Sequence, residues 1–164
     1  MSIEQEIAAF VADYMRLWNA YDVPAMQALW DTDETAPIYV AEEAEPMLGW
    51  PAIHAYWGID RSKSERLLTW DRLEVRQAAP DVAIAFYHMR WNALIPGNRL
   101  YPRPIGGAVR VSAMLRRKPA GWRLFHYVEA PLAALIQMRQ AAEAMVDPVL
   151  HARIAAKAAA KAEG

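Results

Sequence analysis

Residues 36–57 read APIYVAEEAEPMLGWPAIHAYW. The stretch opens apolar and β-prone at Ile38, Tyr39 and Val40, then turns acidic at Glu42, Glu43 and Glu45. Pro46, Gly49 and Pro51 break the backbone ahead of a short helical pattern, Pro51 to Trp57, with proline at a favourable first helical position. A strand end that carries carboxylates into a bend, closed by an aromatic helix, predicts the floor of a pocket. If the strand continued through the two glutamates, adjacent residues would face opposite sides and only one could enter that pocket.

Upstream, Ile3, Ile7, Phe10, Val11, Tyr14, Leu17 and Trp18 recur at three- and four-residue steps and predict a helix over 3–20. Ser2 and Gln5 form a capping-box pattern. Asp22 caps a second helix through about Trp30, with Pro24 near its start. Residues 31–35 read as a polar loop. Downstream, GIDRSKSER (residues 58–66) reads as a solvated linker. Residues 67–77 alternate as a strand, with a slip between Trp70 and Leu73 that predicts a bulge near Asp71. Residues 82–93 form a strong strand. One face carries Val82, Ile84, Phe86, His88 and Arg90; the other carries Ala83, Ala85, Tyr87, Met89 and Trp91. Residues 95–107 are rich in proline and glycine and read as a loop. Strands over 108–117 and 122–130 follow, joined by a hairpin turn at Lys118–Gly121. Pro131 opens a helix to about Met145.

Two helices, a strand, a short helix and an antiparallel run give an α+β order. Strands apolar on both faces need cover on both sides, so a homodimer through the sheet is expected. The organisation reads as one domain over 1–146 and an Ala/Lys-rich helical tail over 147–164. That tail is either a plain extension or a lid using Leu150, His151 and Ile154.

The 164 residues are 55% apolar, enough for a sizeable core, and carry a net charge of -1 from 18 basic and 19 acidic residues. That balance gives no basic face for nucleic acid. There is no cysteine, which removes disulfides, thiolate nucleophiles and Cys-based metal sites. The N-terminal sequence lacks a signal-peptide pattern, and no apolar run reaches the ~18 residues of a membrane span; a cytoplasmic setting is the expectation. The four histidines are scattered and no acidic cluster has calcium-loop spacing, so no metal is expected. Gly106-Gly107 is a poor phosphate loop, so no cofactor is expected either. Seven Trp, seven Tyr and three Phe supply either a core of large side chains or a ring-lined pocket.

Several local patterns, taken in order, resemble the nuclear-transport-factor-2-like (NTF2-like) superfamily in its SnoaL-like and ketosteroid-isomerase-like branch. They are YMRLWNAYD at Tyr14–Asp22, MQALW at Met26–Trp30, GWPAIHAYW at Gly49–Trp57 and GWRLFHY at Gly121–Tyr127. The resemblance spans about Ile3 to Gln137. It implies a cone, in which a strongly curved sheet is closed by helices around a deep apolar cavity. It also implies a range of roles, from isomerases, dehydratases, cyclases, epoxide hydrolases and lyases to binding modules without catalysis. Tyr14, eight residues before Asp22, is similar in placement to the oxyanion-binding tyrosine of the steroid isomerases. Their carboxylate base would fall near Val40, with Glu42 and Glu43 just beyond. Their second acid has no counterpart on 108–117, where Arg110 and Ser112 stand. The resemblance implies, for the dehydratase branch, an aspartate late on the first helix, and Asn19 sits near that place.

From these residues, the expected activity is that of a cofactor-independent lyase or isomerase. Its substrate would be a hydrophobic aromatic or polycyclic small molecule, transformed by elimination, retro-aldol cleavage or isomerisation. Glu42 or Glu43 is the candidate base, its pKa raised by desolvation. Tyr14 or His88 would stabilise an oxyanion. Trp18, Tyr39, Trp57 and Trp91 would give ring contacts, and Arg110 would orient the substrate. His126 invites the same question as His88, although it is expected to share a face with Trp122 and Leu124. Arg90 or Arg110, if buried, needs an acid such as Glu129. Arg116, Arg117 and Lys118 read as a solvated charge run. The competing class is a small-molecule or peptide binding module; a titratable group at the cavity floor is what separates the two.

Overall fold

Ser2 starts the first helix as the spacing predicts. In the computed structural model its hydroxyl accepts from Gln5 N at 3.3 Å while Ser2 N donates to the Gln5 side chain at 3.0 Å, a complete capping box over α1 (Ile3–Ala20). The structure describes residues 1–61, 63–97, 99, 102–132 and 134–162, the side chains of 134–137, 140, 151, 158 and 160–162 excepted. The chain divides into two compact units, Met1–Pro131 and Leu132–Gly164.

In the first unit α1 ends at Tyr21, which takes a left-handed conformation (φ 53°), and Asp22 caps α2 (Val23–Ala28) by accepting from Ala25 N at 3.1 Å. This helix is shorter than the sequence suggests because Trp30 leaves it to bridge Leu124. Leu124 N donates to Leu29 O at 2.9 Å, and Asp31 N to Leu124 O at 2.7 Å. Then come β1 (Ile38–Val40), β2 (Met47–Leu48), α3 (Trp50–Trp57), β3 (Glu65–Ala79), β4 (Val82–Leu94), β5 (Ile105–Lys118) and β6 (Gly121–Pro131). They form one six-stranded curved sheet in the order β2-β1-β6-β5-β4-β3. All neighbours are antiparallel except β1 and β6, which run parallel with Tyr39 beside Tyr127. The two-residue β2 is an addition to the expected strands.

α1 lies along the edge strand β3, and Asn19 fixes it there. Its amide accepts from Leu68 N at 2.7 Å and donates to Leu68 O at 3.1 Å. Asn19 is therefore a backbone clamp between α1 and β3. The expected bulge occurs between Asp71 and Glu74, with Arg72 at φ 55°. The inner face of the sheet and the apolar face of α1 enclose a core in which Trp30, Trp57, Tyr14, Tyr39, Tyr87 and Tyr127 are fully buried. Tyr39 and Tyr127 stack at 5.3 Å with an 11° angle, joining the short β1 to the main sheet through their rings as well as their backbones.

One irregularity decides where the acids of β6 go. Pairing with β5 passes from Leu115–Leu124 to Met114–His126, leaving Phe125 as an extra residue. The bulge reverses the parity of the strand. Trp122 and Leu124 face the core before it, and Tyr127 is the buried residue after it. His126 therefore does not share the face of Trp122 and Leu124, and Glu129, which follows Tyr127 by two, turns inward.

The charge run at the β5–β6 hairpin is not simply solvated. Asp31 is only 2% exposed, and Arg116 reaches it at 2.6 Å and Lys118 at 2.8 Å. Arg116 also bridges Glu34, and Arg117 bridges Glu6, whose carboxylate accepts from Trp122 Nε1 at 2.8 Å. These bonds tie the hairpin to α1 and to the loop after α2. Burial raises the pKa of Asp31, but the hydrogen bonds and charges of Lys118 and Arg116 outweigh it and hold the carboxyl below its usual range.

The second unit contains α4 (Ala134–Ala144) and α5 (Pro148–Ala162). β6 runs through Pro131, so helix begins three residues later than expected. The side chain of His151 lies outside the described residues. Among the described residues no helix is long and apolar enough to cross a membrane.

Candidate functional site

A cavity of about 510 Å³ opens beside β1 and the inner ends of β4 and β6, within the ~300–1,000 Å³ typical of small-molecule sites. Trp18, Tyr39, Met89, Trp91 and Tyr127 give it an apolar wall, and Glu42, Glu43, Glu129 and Asp60 give it carboxyl groups.

The two neighbouring glutamates both line the cavity because the strand stops before them. β1 ends at Val40, Ala41 is buried, and a turn follows in which Ala44 N donates to Ala41 O. Adjacent residues in a turn escape the alternation that a continuing strand would impose.

Each acid is held differently. Glu129 Oε2 accepts from Glu42 N at 3.3 Å. Burial pushes its pKa up to about 8; the Glu42 amide opposes the rise, and the charges of Glu43 and Glu42 reinforce it. Glu129 is thus largely protonated at neutral pH, able to donate from one oxygen while the other accepts. Glu42 accepts from Trp91 Nε1. Burial raises its pKa too, against the lowering effect of the indole and with a further rise from Glu43. Glu43 Oε1 accepts from Tyr56 Oη at 2.6 Å, and burial together with that carboxylate holds the Tyr56 phenol well above its normal range.

Trp91 reaches Glu42 because β5 gives it room. A Cβ on Gly107 would lie 2.9 Å from three atoms of the indole, so the ring occupies the space a side chain there would fill. Gly107 opposes Trp91 in the β4–β5 register. Within the doublet Gly106-Gly107, weak as a phosphate loop, Gly107 is a seat for the ring.

The linker after α3 belongs to this site as well. Ile59, Asp60, Arg61, Ser64 and Arg66 line the cavity's rim. Arg61 lies 4.4 Å over the Tyr56 ring and Arg66 4.2 Å over the Tyr21 ring.

Of the residues singled out from sequence, Glu42, Glu43, Trp18, Tyr39 and Trp91 line the cavity; Tyr14, Trp57, His88, Arg110 and His126 do not. Tyr14 is buried behind it, its ring 5.4 Å from Tyr127 and 6.4 Å from Trp18. Its hydroxyl has no hydrogen-bond partner among the described residues, and burial raises its pKa. Trp57 packs in the core against Trp30 and Tyr39. His88 and Arg110 face each other across β4 and β5 on the outer side of the sheet, with His88 Nδ1 3.9 Å from Asp71. His126 lies on that outer side of β6, and partial burial lowers its pKa. Arg90 and Arg110 are exposed on the outer side, so Glu129 is not their partner. Among the described residues, no group of three or more His, Asp or Glu is placed to hold a metal ion.

Glu129 was hidden by the bulge at Phe125. Strict alternation from Trp122 sends Glu129 outward, and only a break in that alternation, comparable to the readable slip at Asp71, could have exposed it.

With fold and cavity in place, the comparisons agree with the sequence resemblance. The model of the SnoaL-like domain matches residues 7–134, and the chain belongs to that family. No curated protein matches the chain in sequence. Among solved structures, a candidate dehydratase of the NTF2-like family from Streptomyces avermitilis superposes with a TM-score of 0.69 at 15% identity, covering 79% of this chain and 97% of that one. A ketosteroid isomerase-like protein from Erwinia carotovora atroseptica gives 0.61 at 17% identity, covering 79% and 95%. A CamKII hub homology domain from Chlamydomonas reinhardtii gives 0.64 at 15% identity, covering 81% and 100%. At such identities these likenesses establish the NTF2-like fold.

Proposed function

We propose that the protein is a cofactor-independent lyase or isomerase that moves protons on a ring-bearing small molecule bound in this cavity. The observation that carries the reading is the placement of Glu129 in a largely apolar cavity beside Glu42 and Glu43, where burial raises its pKa. Carboxyl groups in one apolar site whose environments separate their protonation states form an acid/base set.

Glu42 or Glu43, ionised, takes a proton from carbon next to a carbonyl. The electrons of that C–H bond pass to the carbonyl oxygen, which accepts a hydrogen bond or the proton from Glu129. Return of the proton to another carbon completes an isomerisation, and departure of a β-substituent completes an elimination. In the retro-aldol direction the same base takes a hydroxyl proton and a C–C bond breaks instead. Trp18, Tyr39 and Trp91 supply ring contacts, and Trp91 also positions Glu42. Tyr14, Trp57, His88, Arg110 and His126, being outside the cavity, have no place in this mechanism.

A carboxylate base in an apolar cavity opens nitrobenzisoxazole to a coloured cyanophenolate, so this probe reports the base before the natural substrate is known. The expected result is catalysis that falls at least ~10²-fold in the variant lacking the base, E42Q or E43Q, the usual worth of general-base catalysis. Enones and β-hydroxyketones, followed by deuterium uptake, extend the test to Glu129. If no probe reacts faster than in buffer, or if E42Q, E43Q and E129Q all match wild type, the catalytic reading fails and the binding-module reading replaces it.

A homodimer through the outer face of the sheet is part of the same proposal. Phe86 is 41% exposed there on β4, and Ile84 on β4, Met114 on β5 and Val128 on β6 are half-buried on the same face. An apolar sheet face of this kind suits an isologous contact.

A further inference from the structure

The proton-transfer reading leaves part of the cavity lining unused. Besides the glutamates, the lining includes two guanidinium groups, Arg61 from the segment after α3 and Arg66 from the start of β3. Tyrosine rings and backbone carbonyls help to hold both. Arg61 Nη1 donates to Tyr56 O at 2.9 Å and to Tyr21 Oη at 3.3 Å, with its guanidinium over the Tyr56 ring. Arg66 Nη2 donates to Arg61 O, with its guanidinium over the Tyr21 ring. Tyr21 is anchored in turn, its hydroxyl donating to Ile59 O at 2.6 Å. Two cations are thus held near each other by rings and carbonyls, at a cost in mutual repulsion. Partial burial and the neighbouring Arg61 charge lower the pKa of Arg66. Asp60 lines the cavity beside them.

Such an arrangement is organised for a planar anion. A guanidinium fork matches a carboxylate in geometry, and a group already immobilised loses little freedom on binding. We propose that Arg61 and Arg66 receive the carboxylate of a ring-bearing organic acid, whose apolar body lies against Trp18, Tyr39 and Trp91 toward Glu129. The inference deepens the proton-transfer reading by naming its substrate class, and rests on that reading only for the claim that the bound acid is turned over.

Calorimetric titration of the full chain at neutral pH with naphthoate, its neutral isostere naphthamide and naphthyl phosphate tests the inference. Naphthoate should bind at least about tenfold more tightly than naphthamide, by a margin that shrinks with salt, and more tightly than naphthyl phosphate. R66Q should lose about tenfold in naphthoate affinity and leave naphthamide within about twofold. R66K, which keeps the charge, should hold naphthoate more tightly than R66Q. Equal affinity of wild type for acid and amide, binding of neither, parallel loss of both in R66Q, R66K no better than R66Q, or preference for the phosphate would each overturn the assignment. E129Q separates the two readings. It should keep the preference for naphthoate while losing proton transfer, so failure of the acid/base account appears in rates and failure of this one in the acid-to-amide ratio.

Discussion

Replacing Glu129 by glutamine should change the pH dependence of stability more than its level at acid pH. In the unfolded chain Glu129 titrates near the ordinary 4.5, and in the folded protein at about 8. Between these values the native state holds a proton that the unfolded state has released. Stability therefore falls as pH rises through the window, by up to 1.36 kcal/mol per pH unit. Across the whole gap this amounts to about 5 kcal/mol, present below pH 4.5 and gone above pH 8. Water entering around the ionised carboxylate will trim it, but against a total of ~5–15 kcal/mol for a domain the effect is large. E129Q keeps the shape and hydrogen-bonding capacity of the protonated acid and has nothing to titrate. The assay is urea unfolding of both proteins at half-unit steps from pH 5 to 9. E129Q should match wild type near pH 5 and gain on it progressively, by several kcal/mol at pH 9. Taking the difference cancels most of the contribution of groups common to both. Parallel stability curves would show that Glu129 does not titrate abnormally and would refute the reasoning.

Other expectations follow from the same geometry. Proton-transfer activity that uses Glu129 as acid should be lost as pH rises through about 8, and a rate profile flat from pH 7 to 9 would contradict that role. D31N should cost about 2–3 kcal/mol in urea unfolding at neutral pH, a broken buried pair discounted for solvent at Arg116. The stabilising effect of ionised Asp31 should disappear as pH falls through its depressed pKa. G107A should push the Trp91 indole off its seat and lower turnover about tenfold through the loss of Glu42 positioning, and an unchanged rate would free Trp91 of that role. R72G should raise stability by about 1 kcal/mol by relieving the left-handed backbone at the β3 bulge. F86E should shift sedimentation from dimer to monomer if the outer face of the sheet is the contact.

Much of the fold could be read where local chemistry sets local structure. Ser2 and Gln5 fixed the start of α1, Asp22 the start of α2, and the slip between Trp70 and Leu73 marked a real bulge. The row from Ala83 to Trp91 followed from period two, since β4 runs straight through it, but period two did not say that this row is the inward one. The site was legible only in part because its residues depend on where that periodicity ends. Glu42 and Glu43 were singled out from sequence, and both line the cavity only because β1 stops at Val40. Glu129 was hidden by one extra residue at Phe125, which no neighbouring sequence advertises. His88 and Arg110 drew attention as polar groups on apolar strands, yet they stand on the face turned away from the cavity. Asp31 and the run Arg116–Lys118 looked solvated one at a time; only the fold brings opposite charges 85 positions apart in sequence to 2.6 Å. Arg61 and Arg66 sat in a stretch whose polarity reads as linker, and their value comes from Tyr21 and Tyr56 beneath them.

The most direct test of the central claim is a titration of the glutamate side-chain carboxyl carbons by NMR, wild type against E129Q. One resonance should move with a midpoint near pH 8 in wild type and be missing from E129Q. If every glutamate carboxyl titrates in the ordinary acidic range, the cavity holds no protonated acid at neutral pH, and the account of its chemistry is wrong.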